Sequence, residues 1–210
     1  ASRISAAGIS RGGRGRRLEE TFTLSSTDPH APEQSIPLVQ KEIAAMETAC
    51  DRAVLSFNDC QALFQNLRFP FTDMNKIREV AGYELESQLP VPLSDYAWDI
   101  LPRSQAQGGE QPVTAVLYPL ETINSWIQGL HQIGLKTIHV EVRSTALASW
   151  LAQIPANGNS SPLFIHLDTD CTNLIWIPQG TISCLRCLPI GLGQILGELQ
   201  DHKVLGHKED

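Results

Sequence analysis

Two carboxylates stand two residues apart in Leu167-Asp168-Thr169-Asp170-Cys171-Thr172. On a strand, residues i and i+2 share a face about 6–7 Å apart. Asp168 and Asp170 so placed could hold Mg²⁺ or polarise a water, with Thr172 as a hydroxyl neighbour. A polar turn between strands is the reading preferred over this one. Cys184-Leu185-Arg186-Cys187 is a lone CxxC. On a strand its cysteines point to opposite faces with Cα atoms about 10 Å apart, too far for a disulfide. With no second CxxC and no His pair, two separate thiols without metal are expected. His30, His131, His139, His166, His202 and His207 show no metal spacing. Neither a G-x-S-x-G elbow nor a Walker A loop occurs, and no catalytic residue is assigned.

The other charged candidates sit on a helix. Asp73, or Thr72, caps a run whose stripe is Ile77, Val80, Ala81, Leu85 and Leu89. Pro90 and Pro92 end it. At about 100° per residue Glu84 and Glu86 diverge and form no catalytic pair. Glu79 and Glu86 lie opposite the stripe with Arg78 at its edge, a charged face suited to a partner or simply to water.

The elements that must position these groups alternate between strand and helix. A hairpin is expected from Ile4–Ser10 through a Gly12/Gly13/Gly15 turn to a strand with Leu18, Glu20, Phe22 and Leu24 at one parity. Residues 25–37 read as a loop, 36–50 as a helix, 53–57 as a short buried strand, and 62–69 as a strand. The capped helix comes next, then strands at 96–101 and 113–118 around a Gly/Gln-rich loop at 104–111. A helix over 119–134 is closed by Gly134. A strand at 137–142, a helix at 145–154, a link at 157–161, a three-stranded meander from 163 to 188 and a helix at 191–200 complete the chain.

Phe69-Pro70-Phe71-Thr72-Asp73-Met74-Asn75-Lys76-Ile77-Arg78, then Tyr83-Glu84-Leu85-Glu86, Leu89-Pro90 and Asp99, resembles the PilM-type pilus proteins and the cytoplasmic part of type II secretion system protein L. Gly134-Leu135, the Asp168–Thr172 turn followed by Gly180 and Arg186, and the early Arg11-Gly12-Gly13-Arg14-Gly15-Arg16 turn fit the same pattern. The resemblance implies an α/β, actin-like fold of ribonuclease-H-like lobes with an inserted α+β subdomain. Residues 1–60 and 135–156 would form the first lobe, 61–134 the insertion, and 162–210 the start of a second lobe. It also implies a seat on the cytoplasmic face of the bacterial inner membrane, membrane contact in the full-length protein being left open. The implied partners are inner-membrane platform proteins and a secretion or pilus ATPase. Where actin-like ATPases carry a glycine two residues after the first Asp, this chain has Asp170, which adds charge where a phosphate would sit. No cofactor is therefore expected, and ATP with Mg²⁺ should bind weakly or not at all. The alternative is an actin-like nucleotide-binding protein using Asp168, Asp170 and Thr172. The first phosphate loop of such a lobe would precede Ile4, and a transmembrane segment downstream would favour protein L over PilM.

Composition bounds these readings. The 210 residues are 42% hydrophobic and 19% charged, with net charge −7, as in ordinary globular proteins. Arg3, Arg11, Arg14, Arg16 and Arg17 precede the first acid, so +5 sits in the first 17 residues and −12 in the remainder. An acidic body argues against nucleic acid as a partner. The arginines read as a solvated turn or as a contact for anionic lipid headgroups. Five cysteines, without scaffold spacing, suit a reducing compartment. No apolar run reaches the length of a membrane span.

Overall fold

The computed structural model describes residues 2–12, 15–26, 32–47, 49–103, 108–154 and 161–201. The side chains of Arg3, Arg11, Arg14 and Arg16, the link at 157–160 and residues 104–107 lie outside that description, as do His30, His202 and His207. The described elements alternate as expected, and the chain divides into two compact units.

The first unit comprises residues 1–55 and 120–140. β1 (Ser2–Gly12) and β2 (Gly15–Ser26) form an antiparallel hairpin with an irregularity at Gly8/Ile9. Leu18, expected to share an inward parity with Phe22 and Leu24, is exposed. α1 (Pro32–Ala45) begins earlier and ends earlier than the periodicity predicts. Its first residue is Pro32, where a missing N–H costs nothing, so a proline there marks a helix start and not a loop. Pro37 is also inside the helix, and Met46 and Cys50 fall beyond its end. α3 (Leu120–Gln132) buries Ile123, Trp126 and Leu130. It ends in a Schellman motif: Gly134 at φ +86° lets the Leu135 N–H reach the Leu130 carbonyl and its own N–H reach that of His131. Gly129 is the close-approach point with α1, since a Cβ there would stand 2.7 Å from Ile36 Cγ1.

β3 (Arg52–Phe57) pairs with β7 (Lys136–Val142). The expected burial of β3 is confined to Phe57, and Val54 is exposed.

The second unit comprises residues 56–119 and 141–210. After a short 3-10 turn at Asp59–Gln61, β4 (Leu63–Phe69), β5 (Tyr96–Pro102) and β6 (Gln111–Pro119) form an antiparallel sheet in the order β4-β6-β5. α2 (Met74–Gln88) covers one face. Ile77, Ala81 and Leu85 are fully buried against Leu67, Phe69, Ile100, Val113, Ala115 and Leu117. Each such isoleucine, leucine, valine or phenylalanine contributes about 1.5–3 kcal/mol when removed from water. Asp73 caps α2, its Oδ1 accepting from the N–H groups of Asn75 at 3.0 Å and Lys76 at 3.4 Å. Val80, expected in the stripe, lies outside it.

The other face of this sheet presents Phe64 and Leu101. They pack on a second cluster built from α4 (Arg143–Leu151) and the meander β8 (Leu163–Leu167), β9 (Thr172–Trp176) and β10 (Cys184–Leu188). The meander order is β10-β9-β8, with Ile175 and Leu185 buried. α5 (Leu192–Asp201) follows.

Candidate functional site

Three groups of side chains from the sequence analysis belong to the second unit, and the structure treats each differently.

Asp168, Thr169 and Asp170 occupy the turn between β8 and β9, as the preferred reading has it, so the strand spacing of the metal-site alternative does not apply. The Asp168 carboxylate is ion-paired with Arg143 at the start of α4, and its Oδ1 also accepts the Thr169 N–H at 2.8 Å. Asp170 is exposed. The turn is bound to the start of α5. The Leu192 N–H donates to the Asp168 carbonyl at 2.8 Å, and the Gly193 N–H to that of Thr169 at 3.0 Å. Thr172 Oγ1 donates to the Ile190 carbonyl at 2.6 Å. Gly191 is required here, because a Cβ would overlap the Thr169 carbonyl oxygen and the Asp170 nitrogen. The two first N–H groups of a helix, which elsewhere cradle a phosphate, are thus occupied by the turn's own carbonyls. Among the described residues no group of three or more His, Cys, Asp or Glu side chains is placed to hold a metal ion.

A buried polar node lies behind this turn, and the sequence reading missed it. Asp59 is 1% exposed. Its Oδ1 accepts the Ser144 N–H at 3.2 Å and its Oδ2 the Asn173 Nδ2 at 2.8 Å. Ser144 is in the first turn of α4, which has no side-chain cap from Val142. Asp59 therefore caps α4 from a distance, where a carboxylate also complements the positive end of the helix dipole. Asn58, immediately before, accepts the Cys60 N–H at 3.2 Å and starts the 3-10 turn that aims Asp59 inward. Only the Asn58-Asp59 pair at a strand end hints at this in the sequence.

Three thiols surround the node, Cys60, Cys171 and Cys187. Cys171 shares hydrogen bonds with both of the others. Cys60 is exposed as a residue, but partial desolvation of its thiol pushes it up to about 12, with Cys171, Asp170 and Asp59 adding to it. Burial likewise pushes Cys171 to about 11 and raises Cys187. Tyr118, stacked on Phe57 with ring centroids 4.7 Å apart, is also raised by burial and by the neighbouring Cys60 and Asp59. All five cysteines are free. Cys184 and Cys187 project to opposite faces of the meander, as their spacing predicts. Thiolate, not thiol, reacts, so at pH 7.5 Cys171, which is buried, should resist iodoacetamide in the folded chain. We expect its labelling, read by peptide mass spectrometry, to run at least tenfold slower than in urea. Equal rates would contradict the shielding. Because the folded-state values lie above the ordinary thiol value of 9.0, the folded chain holds these protons more tightly. Stability should then fall as pH rises above about 9.

The third group is the outer face of α2. Glu79 and Glu86 are both exposed. Arg78 is engaged sideways, its Nε 3.8 Å from Asp99 Oδ1 on β5. Between the two acids, at helical spacing 79, 83 and 86, stands Tyr83. It is 76% exposed, the most open of the large apolar side chains described. The sequence pattern contained Tyr83 but gave no reason to place it outward. At the hairpin, Arg17 lies 3.7 Å from Glu19.

No family model and no curated protein matches the sequence. Solved structures do. The PilM–PilN type IV pilus biogenesis complex matches over 98% of this chain and 64% of that one, with a TM-score of 0.77 and 16% identity. The cytoplasmic domain of EpsL, an inner-membrane component of the type II secretion system of Vibrio cholerae, matches over 100% of this chain and 74% of that one, at TM-score 0.59 and 12% identity. The chain has the actin-like α/β fold. A Bacteroides thetaiotaomicron protein of actin-like ATPase fold and unknown function matches more distantly, at TM-score 0.51 and 9% identity, over 91% of this chain and 68% of that one. The actin-like chain spans about two thirds of the length of the PilM it matches. Among its described residues no helix is long and apolar enough to cross a membrane.

Proposed function

We propose that this actin-like chain is a scaffold of a bacterial type II secretion or type IV pilus assembly platform, seated at the cytoplasmic face of the inner membrane. In this reading residues 61–134 are a subdomain inserted into the first lobe, and their outer surface meets a partner. The partners are inner-membrane platform proteins and the secretion or pilus ATPase. The observation that carries the reading is the fit of 98% of the chain onto a PilM bound to its partner PilN. Support comes from the turn at Asp168. Its carboxylate is spent on Arg143, and the α5 N–H groups are spent on backbone carbonyls. A phosphate there would have to displace both, and would meet Asp170. ATP with Mg²⁺ therefore binds weakly or not at all.

The docking surface in this account is the α2 face of Glu79, Tyr83 and Glu86, with Arg78 beside it. An exposed tyrosine between charges is the composition of an interface anchor with a rim. Binding of the cognate platform proteins and ATPase, measured by biolayer interferometry, should respond in two ways. Tyr83→Ala should weaken binding by about tenfold, as anchor truncations do. Glu79→Lys with Glu86→Lys should slow association several-fold at low salt and less at 300 mM, as rim charges do. Folded variants that bind as fast and as tightly as the parent would remove α2 from the interface.

A further inference from the structure

Three of the five cysteines meet beside the Asp59 node, and the scaffold role uses none of them. Cys171 shares hydrogen bonds with Cys60 and with Cys187. The backbone brings them together by contacts of its own. Cys187 stands directly opposite Asn173 in the β9–β10 ladder, so the two side chains share a face, the one on which Asn173 is fully buried. Cys171 lies two positions before Asn173 and has the same parity. Its carbonyl accepts the Asp168 N–H at 2.9 Å, which fixes it at the end of the turn. Cys60 follows Asp59, whose Oδ2 accepts the Asn173 Nδ2 at 2.8 Å. Cys60 is itself held in the 3-10 turn. Its N–H donates to Asn58 Oδ1 at 3.2 Å, and the Ala62 N–H donates to the Asp59 carbonyl at 3.0 Å. Two thiols far apart in the chain are therefore in contact, each on a backbone segment that is hydrogen-bonded in place.

We propose that Cys60, Cys171 and Cys187 form a thiol–disulfide exchange site, at which Cys60 and Cys171 close a disulfide at the expense of a low-molecular-weight disulfide such as oxidised glutathione. Cys171 is buried, so the small disulfide meets Cys60 first. The Cys60 sulfur, as thiolate, attacks one sulfur of the small disulfide. A mixed disulfide forms on Cys60, and the first small thiol leaves with the proton that Cys60 gave up. The Cys171 sulfur then attacks Cys60 Sγ, and the second small thiol leaves with the proton of Cys171. Two protein thiols lose two electrons and two protons, and one small disulfide becomes two thiols. Cys187 is the poorer partner for closure. It and Cys171 are diagonal neighbours on adjacent strands, about 7–8 Å apart, at or past the span that a disulfide bridges. The desolvation that raises both reacting thiols keeps thiolate scarce, so exchange is slow near neutral pH and quickens as pH rises. In a reducing compartment all three stay thiols, and the bond forms when the pool of small thiols becomes oxidised. Once formed, it ties the 3-10 turn after β3 to the Asp168 turn, alongside the hydrogen bond from Asn173 to Asp59. The proposal does not rest on the platform role and lies away from the α2 face.

Equilibration of the chain with mixtures of reduced and oxidised glutathione, without air and at about pH 8, tests it. After acid quenching and alkylation, peptide mapping without reductant should find Cys60 joined to Cys171. The linked peptide should be at least about tenfold more abundant than in urea, where a long flexible loop separates the two thiols. Cys171→Ser should stop at a glutathione adduct on Cys60, and Cys187→Ser should still close the bond. A serine in this interior could loosen it, so amide exchange of the unmodified chain supplies a second reading. Residues 168–172 should exchange at least about tenfold more slowly once the bond has formed, because local opening of the turn is then restrained. A folded chain that yields no Cys60–Cys171 peptide at any glutathione ratio overturns the proposal. So does a main product linking Cys171 to Cys187, or either reacting thiol to Cys50 or Cys184. A yield no greater than in urea, or a turn whose exchange is unchanged in the cross-linked chain, overturns it as well.

Discussion

Asp59→Ala should destabilise the chain by about 3 kcal/mol, the largest loss expected from any single side chain outside the apolar core. The carboxylate is buried, and it joins the 3-10 turn after β3, the start of α4 and strand β9. Its removal strands the Ser144 N–H and the Asn173 amide in a dry interior. Each orphaned donor costs about 1–3 kcal/mol, and the α4 cap is lost too. Asp59→Asn keeps one acceptor oxygen and should recover about half of the loss. Urea unfolding followed by circular dichroism measures both. If Asp59→Ala costs under 1 kcal/mol, the node is not the tie described here.

Gly191→Ala should be nearly as costly, about 2–4 kcal/mol, through a different cause. The new methyl would sit within the van der Waals radii of the Thr169 carbonyl oxygen and the Asp170 nitrogen. Neither is a flexible side-chain end, so the backbone must part. That movement breaks the hydrogen bonds from Leu192 to Asp168 and from Gly193 to Thr169, and overpacking of this kind typically costs 1–3 kcal/mol by itself. Gly197→Ala, with nothing within 4 Å of the added carbon, is the matched control. It should be neutral or slightly stabilising, because alanine is the better helix former. Amide exchange in the 168–172 turn should quicken in the first variant and not in the second.

The sequence announced its local structure well because local signals are short-range. Asp73 and the Ile77/Ala81/Leu85 spacing define α2, Gly134 defines the end of α3, and the alternation from Leu163 to Leu188 defines the meander. Each is read from the spacing of near neighbours within a single strand, helix or cap. Asp59 was invisible for the opposite reason. Its two partners are 85 and 114 residues away in the chain, and nothing near Asp59 encodes them. The turn at Asp168 and Asp170 is also legible, because the apolar alternation stops at Leu167. That the Asp168 carboxylate is taken up by Arg143 is not, since that partner stands on another element. The apolar parity of Leu163, Ile165 and Leu167 was equally legible. That it lies outward was not, because an apolar face is expected to point inward and only the packing of Phe164 on the other side decides otherwise.

The central claim is that this actin-like chain works by binding proteins and not by binding nucleotide. Isothermal titration of the same preparation with Mg²⁺-ATP and, separately, with the cytoplasmic portions of the platform proteins tests it most directly. The account predicts saturable heat with at least one platform protein, and with ATP only weak, unsaturated heat that strengthens in Asp170→Gly. Tight, saturable ATP binding accompanied by no binding to any platform protein would contradict it.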